Sequence, residues 1–338
     1  MEELKAYYSQ NNDRYKIVAK KIKKLIKDIL RNTNLQIHSV SSRVKSLDSY
    51  LKKAEKYRNP KNEIMDYIGI RIITYVLKDI ETVSSVIEKE FNIDRINSIN
   101  KSKELGNDRM GYRSIHFIAS IDDNRKKLTE YEVCKDCVFE IQIKTILQHA
   151  WAEIEHDKNY KYSGVLPNEI MRRLNLLSVV LESADNEFNT ISQEIDNYKK
   201  SVTKEIEKDN LASIELNSTS LREFIITKYN KYNVRYDSNT ANNEFEMISE
   251  IKAFGITNLK EFDDIINKNY LEYIATRNLY TNILGFIRTI LILKDIRKYF
   301  DKCFNGSWVI LTTDLKEMYE ELAPDALSIM KGRGILIF

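Results

Sequence analysis

Chain-breaking residues are scarce: 3 Pro and 9 Gly in 338 residues. That scarcity excludes long Pro/Gly-rich linkers and favours helix-rich structure. Cysteine is scarce as well. Three Cys, an odd number, argue against a disulfide framework and fit a reducing cytosol. Long hydrophobic runs are missing. The longest, near Ile283–Leu293, is interrupted by Arg288 and is shorter than the ~20 residues that a membrane span needs, so a buried helix is expected there and no membrane partner. Met1 is followed by acidic Glu2 and Glu3, which does not read as an apolar signal segment. No tandem repeat or low-complexity tract stands out.

What is present is charge, unevenly spread. An apolar fraction of 43% with 30% charged residues reads as a soluble globular chain, and its length predicts two domains. Residues 1–60 carry 15 Lys or Arg against 6 Asp or Glu, a balance of +9 that leaves −6 for the rest of a chain of net charge +3. A basic N-terminal part points to polyanionic ligands such as nucleotide phosphates or nucleic acid; a solvated lysine-rich helix face accounts for it equally.

Periodicity places the elements. Residues 2–30 read as a helix, and a second helix is expected from about Ser42 to Tyr57, carrying Lys45, Ser49, Lys53 and Lys56 with Arg43 at its start. Asn59-Pro60 ends it. The isoleucine-rich run Ile68–Val76 suits a buried strand, and Arg71 inside it calls for a partner or a ligand. A helix over Asp79–Phe91, a weaker strand over Ile93–Ile99 and a strand after Gly111 follow, the last with Tyr112, Ser114 and His116 on one face. In Val138–Thr145, Phe139, Ile141 and Ile143 alternate with Glu140, Gln142 and Lys144, so the apolar set faces a core and the polar set the other side. From Ile146 the period changes, and His149, Glu153, His156 and Tyr160 form one helical stripe. A long helix is expected from Pro167 to about Lys208, with a stripe from Leu174 to Tyr198 that suits packing on the first domain or on another subunit. Residues 211–338 read as a separate, mainly helical domain. There Ser220 can cap a helix, Asn258 and Glu261 have capping-box spacing, Gly255 can stop a helix, Tyr270–Phe300 reads as one long helix and Trp308–Thr312 as a short strand.

Two acids, Asp66 and Glu140, stand at or in strands. Converging carboxylates can hold Mg²⁺, which prefers oxygen ligands, and Arg43, Lys45, Lys53 and Arg71 are available for phosphates. This pattern suits phosphoryl or nucleotidyl transfer, while a solvated strand-edge acid is the plainer alternative. Cys134 and Cys137 form a CxxC without the further ligands zinc needs, so a turn between strands is expected.

Four segments, in order, resemble the synthetase domain of the RelA/SpoT family, and within it small alarmone synthetases: RVKSLDSYLKK (Arg43–Lys53), MDYIGIRII (Met65–Ile73), GYRSIHFI (Gly111–Ile118) and EIQIKTILQHAWAEIEHDKNYKY (Glu140–Tyr162). No His-Asp motif of the family's hydrolase domain precedes Arg43. The resemblance covers about residues 40–165 and implies an α+β fold, a mixed β-sheet flanked by helices akin to nucleotidyltransferases, in a domain spanning about 1–210. It implies an ATP-dependent pyrophosphokinase that moves the β,γ-pyrophosphate of ATP onto the 3′-hydroxyl of GDP or GTP, giving (p)ppGpp and AMP. Asp66 and Glu140 would be the catalytic and Mg²⁺-holding pair. Arg43 and Arg71 would sandwich the adenine; Lys45, Ser49 and Lys53 would hold the ATP phosphates. Tyr112 would stack on the guanine, with His116, Gln142, Lys144 and His149 toward the acceptor nucleotide. The family pattern reads EIQIRT, and here Lys144 replaces the arginine, keeping charge but losing bidentate geometry. Two alternatives go with the extra C-terminal domain: a toxin-type pyrophosphokinase acting on the 3′ end of tRNA, gated by that domain, and a non-catalytic nucleotide sensor whose C-terminal domain recognises a protein partner. A homo-oligomer is compatible with both.

Overall fold

The computed structural model describes all residues apart from 34, 101–113, 162–166, 233, 236–243, 280, 307 and 338. The chain divides into two compact units, Met1–Gln193 and Glu194–Phe338.

The first unit begins with helix α1 (Glu2–Arg31), followed by β1 (Ile37–Val44), α2 (Leu47–Ala54), β2 (Ile68–Thr74), α3 (Leu77–Glu90), β3 (Phe91–Asn100), β4 (Ile115–Ile121), β5 (Phe139–Thr145) and α4 (Ile146–Lys161). Helix α5 (Asn168–Glu207) starts in this unit and crosses the division. Among the described residues the five strands form one sheet, ordered β1-β2-β5-β4-β3. β2 and β5 run parallel, and the other neighbours are antiparallel. This is the expected mixed sheet.

The alternation in β5 does what its period demands. Phe139, Ile141 and Ile143 are fully buried on one face, and Glu140, Gln142 and Lys144 stand on the other. β2 lies inside the sheet, so Ile68, Ile70 and Ile72 join Val18, Ile22 and Ile26 of α1 in one core. Burying each such side chain contributes about 2 kcal/mol.

β1 is a departure from the expected helix over Ser42–Tyr57. Residues 37–44 pair antiparallel with β2, Val40 against Ile72 and Arg43 against Gly69, and only Leu47–Ala54 is helical. The segment IHSVSSRV has three apolar residues, too few to show a period. The open edge of β2 supplies its structure. Arg43 is therefore a strand residue.

Helix α5 leaves much of its apolar stripe uncovered by this chain, so of the two expected packings the one on the first domain is not seen. Leu177, Phe188, Ile191 and Ile195 are exposed, whereas Ser178 and Asp185 are buried. Its last turns supply Val202 and Ile206 to the core of the second unit, which is why the division falls at 193/194 and not at the expected 210/211.

Among the described residues the second unit is mainly helical, with two short parallel strand pairs, Val234–Arg235 with Thr281–Asn282 and Ile310–Leu311 with Leu336–Ile337. The expected long helix over Tyr270–Phe300 is three helices: Lys268–Thr276, Ile283–Lys294 and Ile296–Lys302. Asn278 takes a left-handed φ of 49°, which no helix interior accommodates. Arg288 is matched inside the core by Glu250 at 2.6 Å and Glu246 at 2.8 Å. Asn258 caps its helix as expected, accepting from the Glu261 amide at 3.0 Å. Ser220 is not itself the cap: Asn217 accepts from the Ser220 amide, and the Ser220 hydroxyl accepts from the Asn217 amide. Gly255 ends its helix with φ 86°, a conformation that costs glycine little. Among the described residues no helix is long and apolar enough to cross a membrane.

Candidate active site

Strand register assembles the site on the face of the sheet opposite the core. Paired residues share a face, and two rows cross the sheet. One row is Arg43, Gly69, Glu140 and Ile118; the next is Ser41, Arg71, Gln142 and His116. Residues 71 positions apart, Gly69 with Glu140 and Arg71 with Gln142, thus become neighbours because β5 inserts between β2 and β4.

Glu140 is held on both oxygens. The His116 ring nitrogen Nδ1 lies 2.7 Å from Oε1, and the Gln142 amide donates to Oε2 at 2.7 Å. His116 is fixed in turn by Ser114, whose hydroxyl lies 2.9 Å from Nε2. Burial pushes the Glu140 carboxyl up. The hydrogen bond and charge of His116 and the bond from Gln142 outweigh it, so Glu140 titrates below its ordinary value, against a rise from the nearby charge of Asp66. The two acids therefore feel one another.

Asp66 sits just before β2. The ladder between β1 and β2 ends at Val44 and Ile68, and the Lys45 amide then bonds the Tyr67 carbonyl at 2.9 Å. This turn sets Lys45 beside Asp66, with Nζ 2.9 Å from Oδ2. Lys53, one face of α2, reaches the same oxygen at 2.8 Å. Ser46 caps α2 through the Ser49 amide, and buried Tyr50 anchors it. Burial raises the Asp66 carboxyl, but the two ammonium groups win and hold it below its ordinary value.

The donor set is compatible with a divalent cation. Asp66 Oδ1 is buried with no hydrogen-bond partner, an orphan polar atom that a cation would satisfy. Its other oxygen already draws two positive charges. Glu140 has spare lone pairs, but each oxygen already accepts a hydrogen bond. Two carboxylates leave most of the coordination shell to water and phosphate, as Mg²⁺ prefers. Among the described residues no group of three or more His, Cys, Asp or Glu could hold a metal ion.

The remaining residues fall around this pair. The Arg43 side chain lies over Gly69, whose missing side chain leaves it room: a Cβ there would stand 3.5 Å from Arg43 Cγ. Arg71 is bound by Glu153 of α4 at 2.8 Å. Glu153 belongs to the predicted helical stripe but was not expected in the site; the signal was an arginine in a buried strand, which needs a partner. His149 stands 3.8 Å from the same Glu153 oxygen. Burial pushes the His149 imidazole down and Glu153 pulls it up; the Arg71 and Lys144 cations help keep it below its ordinary value. Ser49 is exposed and accepts a hydrogen bond from the cap Ser46 at 2.9 Å, apart from the carboxylates' own contacts. Tyr112, and the side chain of His156, lie outside the described residues. Cys134 and Cys137 are both buried and unpaired in a turn before β5, and burial raises both thiols.

Comparison with known proteins places the chain in a family. The region found in RelA / SpoT proteins matches residues 42–165. GTP pyrophosphokinase YjbM of Bacillus subtilis (strain 168) is 32% identical over 194 residues, 56% of this chain and 86% of that protein. The chain belongs to the RelA/SpoT family. A second relative in this family, GTP pyrophosphokinase YwaC of the same organism, is 29% identical over 166 residues, 47% of this chain and 76% of that protein. Both relatives are named pyrophosphokinases, and the expectation of an enzyme of that type stands. Among solved structures of the family, small alarmone synthetase 1 from Bacillus subtilis aligns with a TM-score of 0.48 at 27% identity, covering 56% of this chain and 98% of that one. The RelA/SpoT region lies wholly within the first unit.

Proposed function

We propose that this chain transfers the β,γ-pyrophosphate of ATP to the 3′-hydroxyl of GDP or GTP, giving (p)ppGpp and AMP. The observation that carries the reading is the acid pair: Asp66 beside two lysines, and Glu140 between a histidine and an amide on the neighbouring strand. The names of the two relatives favour guanine nucleotides as acceptors.

In this reading the 3′-oxygen attacks the β-phosphorus of ATP. The bond from that phosphorus to the α–β bridging oxygen breaks, and AMP leaves. Glu140, kept ionised by His116 and Gln142, takes the hydroxyl proton. His116 and Gln142 fix its orientation. Asp66 would hold Mg²⁺, which when bound would screen charge between the two polyphosphates. Lys45 and Lys53, released from Asp66 as it does so, would turn to the ATP phosphates. Arg43 and Arg71, one row apart on adjacent strands, offer two guanidinium planes for the adenine. Gln142, Lys144 and His149 lie toward the acceptor.

The test is direct. Purified protein is incubated with ATP, Mg²⁺ and GDP, GTP or total tRNA, and the products are read by mass spectrometry. AMP with a 3′-pyrophosphorylated guanine nucleotide is expected, abolished by Asp66→Ala. Product on tRNA alone would reassign the acceptor, and no product with any acceptor would overturn the reading.

A further inference from the structure

Helix α5 buries a polar face against the first unit. Asp185 is 2% exposed, and its Oδ2 accepts from the Thr145 hydroxyl at 2.7 Å. Thr145 ends β5 and opens α4. It forms a reciprocal cap with Gln148: the Gln148 amide donates to the Thr145 hydroxyl at 3.2 Å, and the Thr145 amide donates to Gln148 Oε1 at 3.1 Å. This is a Thr-x-x-Gln capping box. Thr145 and Gln148 are both buried, so the hydroxyl proton has no water to reach, and Asp185 is its acceptor. One turn along α5, Asn189 Oδ1 accepts from the Lys78 amide at 2.9 Å. Lys78 lies in the first turn of α3, whose cap residue Val76 has no side-chain cap of its own. β2 and β5 are adjacent and pair as far as Thr74 with Thr145. One helix therefore closes the N-termini of two others, at the carboxyl ends of two neighbouring parallel strands.

We infer that Asp185 is a positioning residue for the nucleotide site. It fixes the first turns of α4, and α4 carries His149 and Glu153, the latter holding Arg71. Without the acceptor the buried hydroxyl loses its partner, the capping box loosens, and Glu153 no longer presents a fixed carboxylate to Arg71. Nothing in composition marks this role, since Asp185 sits in a helix whose apolar stripe is turned outward. The inference rests on the reading of Arg71 as part of the ATP site.

The experiment uses the full chain with Asp185→Ala, Asp185→Asn and Thr145→Val. Asp185→Ala is expected to raise the KM for ATP about five- to tenfold, the scale of one lost cap, and the KM for the guanine nucleotide as well, because α4 also carries His149, with kcat within about twofold. Amide exchange over residues 146–153 should accelerate by a similar factor while peptides of β2 and α1 stay protected. Asp185→Asn keeps an acceptor oxygen and should restore the KM values and the exchange. Thr145→Val also removes the acceptor of the Gln148 amide, so it should be at least as severe as Asp185→Ala, and adding Asp185→Ala to it should cost nothing further. Unchanged exchange over α4 in Asp185→Ala overturns the inference. So does exchange rising uniformly through the unit, which would mark Asp185 as generally structural. If the wild type transfers no pyrophosphate, the functional reading fails, and exchange with its Asn rescue still decides whether Asp185 holds α4.

Discussion

Glu153 of α4 binds Arg71 of β2 at 2.8 Å across 82 residues of sequence. The Arg71 Nε is buried without a hydrogen-bond partner, so Glu153 is what holds the guanidinium from α4. Glu153 is more than half exposed, so the pair contributes little to stability. Its effect is to orient the guanidinium plane.

Glu153→Ala should therefore leave the unfolding free energy nearly unchanged, within about 0.5 kcal/mol, and raise the KM for ATP about threefold or more. Glu153→Gln, which keeps one acceptor, should fall between Ala and wild type. Steady-state kinetics over ATP at saturating guanine nucleotide measure this, and an unchanged KM in Glu153→Ala removes Arg71 orientation from the account.

Asp66 and Glu140 both titrate below their ordinary values, whereas burial raises Asp185. The signs differ accordingly. The first two contribute stability that is fully present above the ordinary carboxylate range and is lost as pH falls through their lowered values. Asp185 costs stability once pH rises through its raised value. Asp66→Asn should therefore narrow the stability difference between pH 7 and pH 3, and Asp185→Asn should widen it. Urea unfolding followed at Trp151 in a Trp308→Phe background would read both, and the same sign for the two variants contradicts this assignment.

Gly69 lies between Arg43 and Glu140 in the strand register. A Cβ there makes only ordinary contact with Arg43, so Gly69→Ala should keep most of the activity. Gly69→Val adds two methyl groups where the Arg43 stem lies and should raise the KM for ATP about tenfold or more. An equal effect of Ala and Val would mean that backbone freedom, not room for Arg43, is what Gly69 provides.

Lys144 stands where the family pattern has arginine. Lys144→Arg restores two parallel donors, and the KM for the guanine nucleotide is expected to fall about threefold while that for ATP does not move. A rise would mean that the acceptor pocket has adapted to the ammonium group.

Much of the frame follows from local pattern. The alternation of Phe139, Ile141 and Ile143 with Glu140, Gln142 and Lys144 predicts both the strand and its functional face, because a pleated backbone has a period of two. The isoleucine run of β2 and the long period of α5 are likewise local properties. β1 is not, because Ile37, Val40 and Val44 are too sparse to signal a strand until β2 offers its edge. Nor is the break at Asn278, since nothing in Tyr270–Phe300 shows which residue will leave the helix.

The sequence by itself determined the chemistry available: two acids, a set of cations, and motifs whose order marks the family. Tertiary structure alone decided which groups meet. Register across β1, β2, β5 and β4 set His116 on Glu140 and Arg43 over Gly69, the turn at Lys45 brought two ammonium groups to Asp66, and α5 turned Asp185 inward to Thr145. Each of these contacts joins segments distant in the chain, and their geometry comes from sheet pairing and core packing, which no local period encodes.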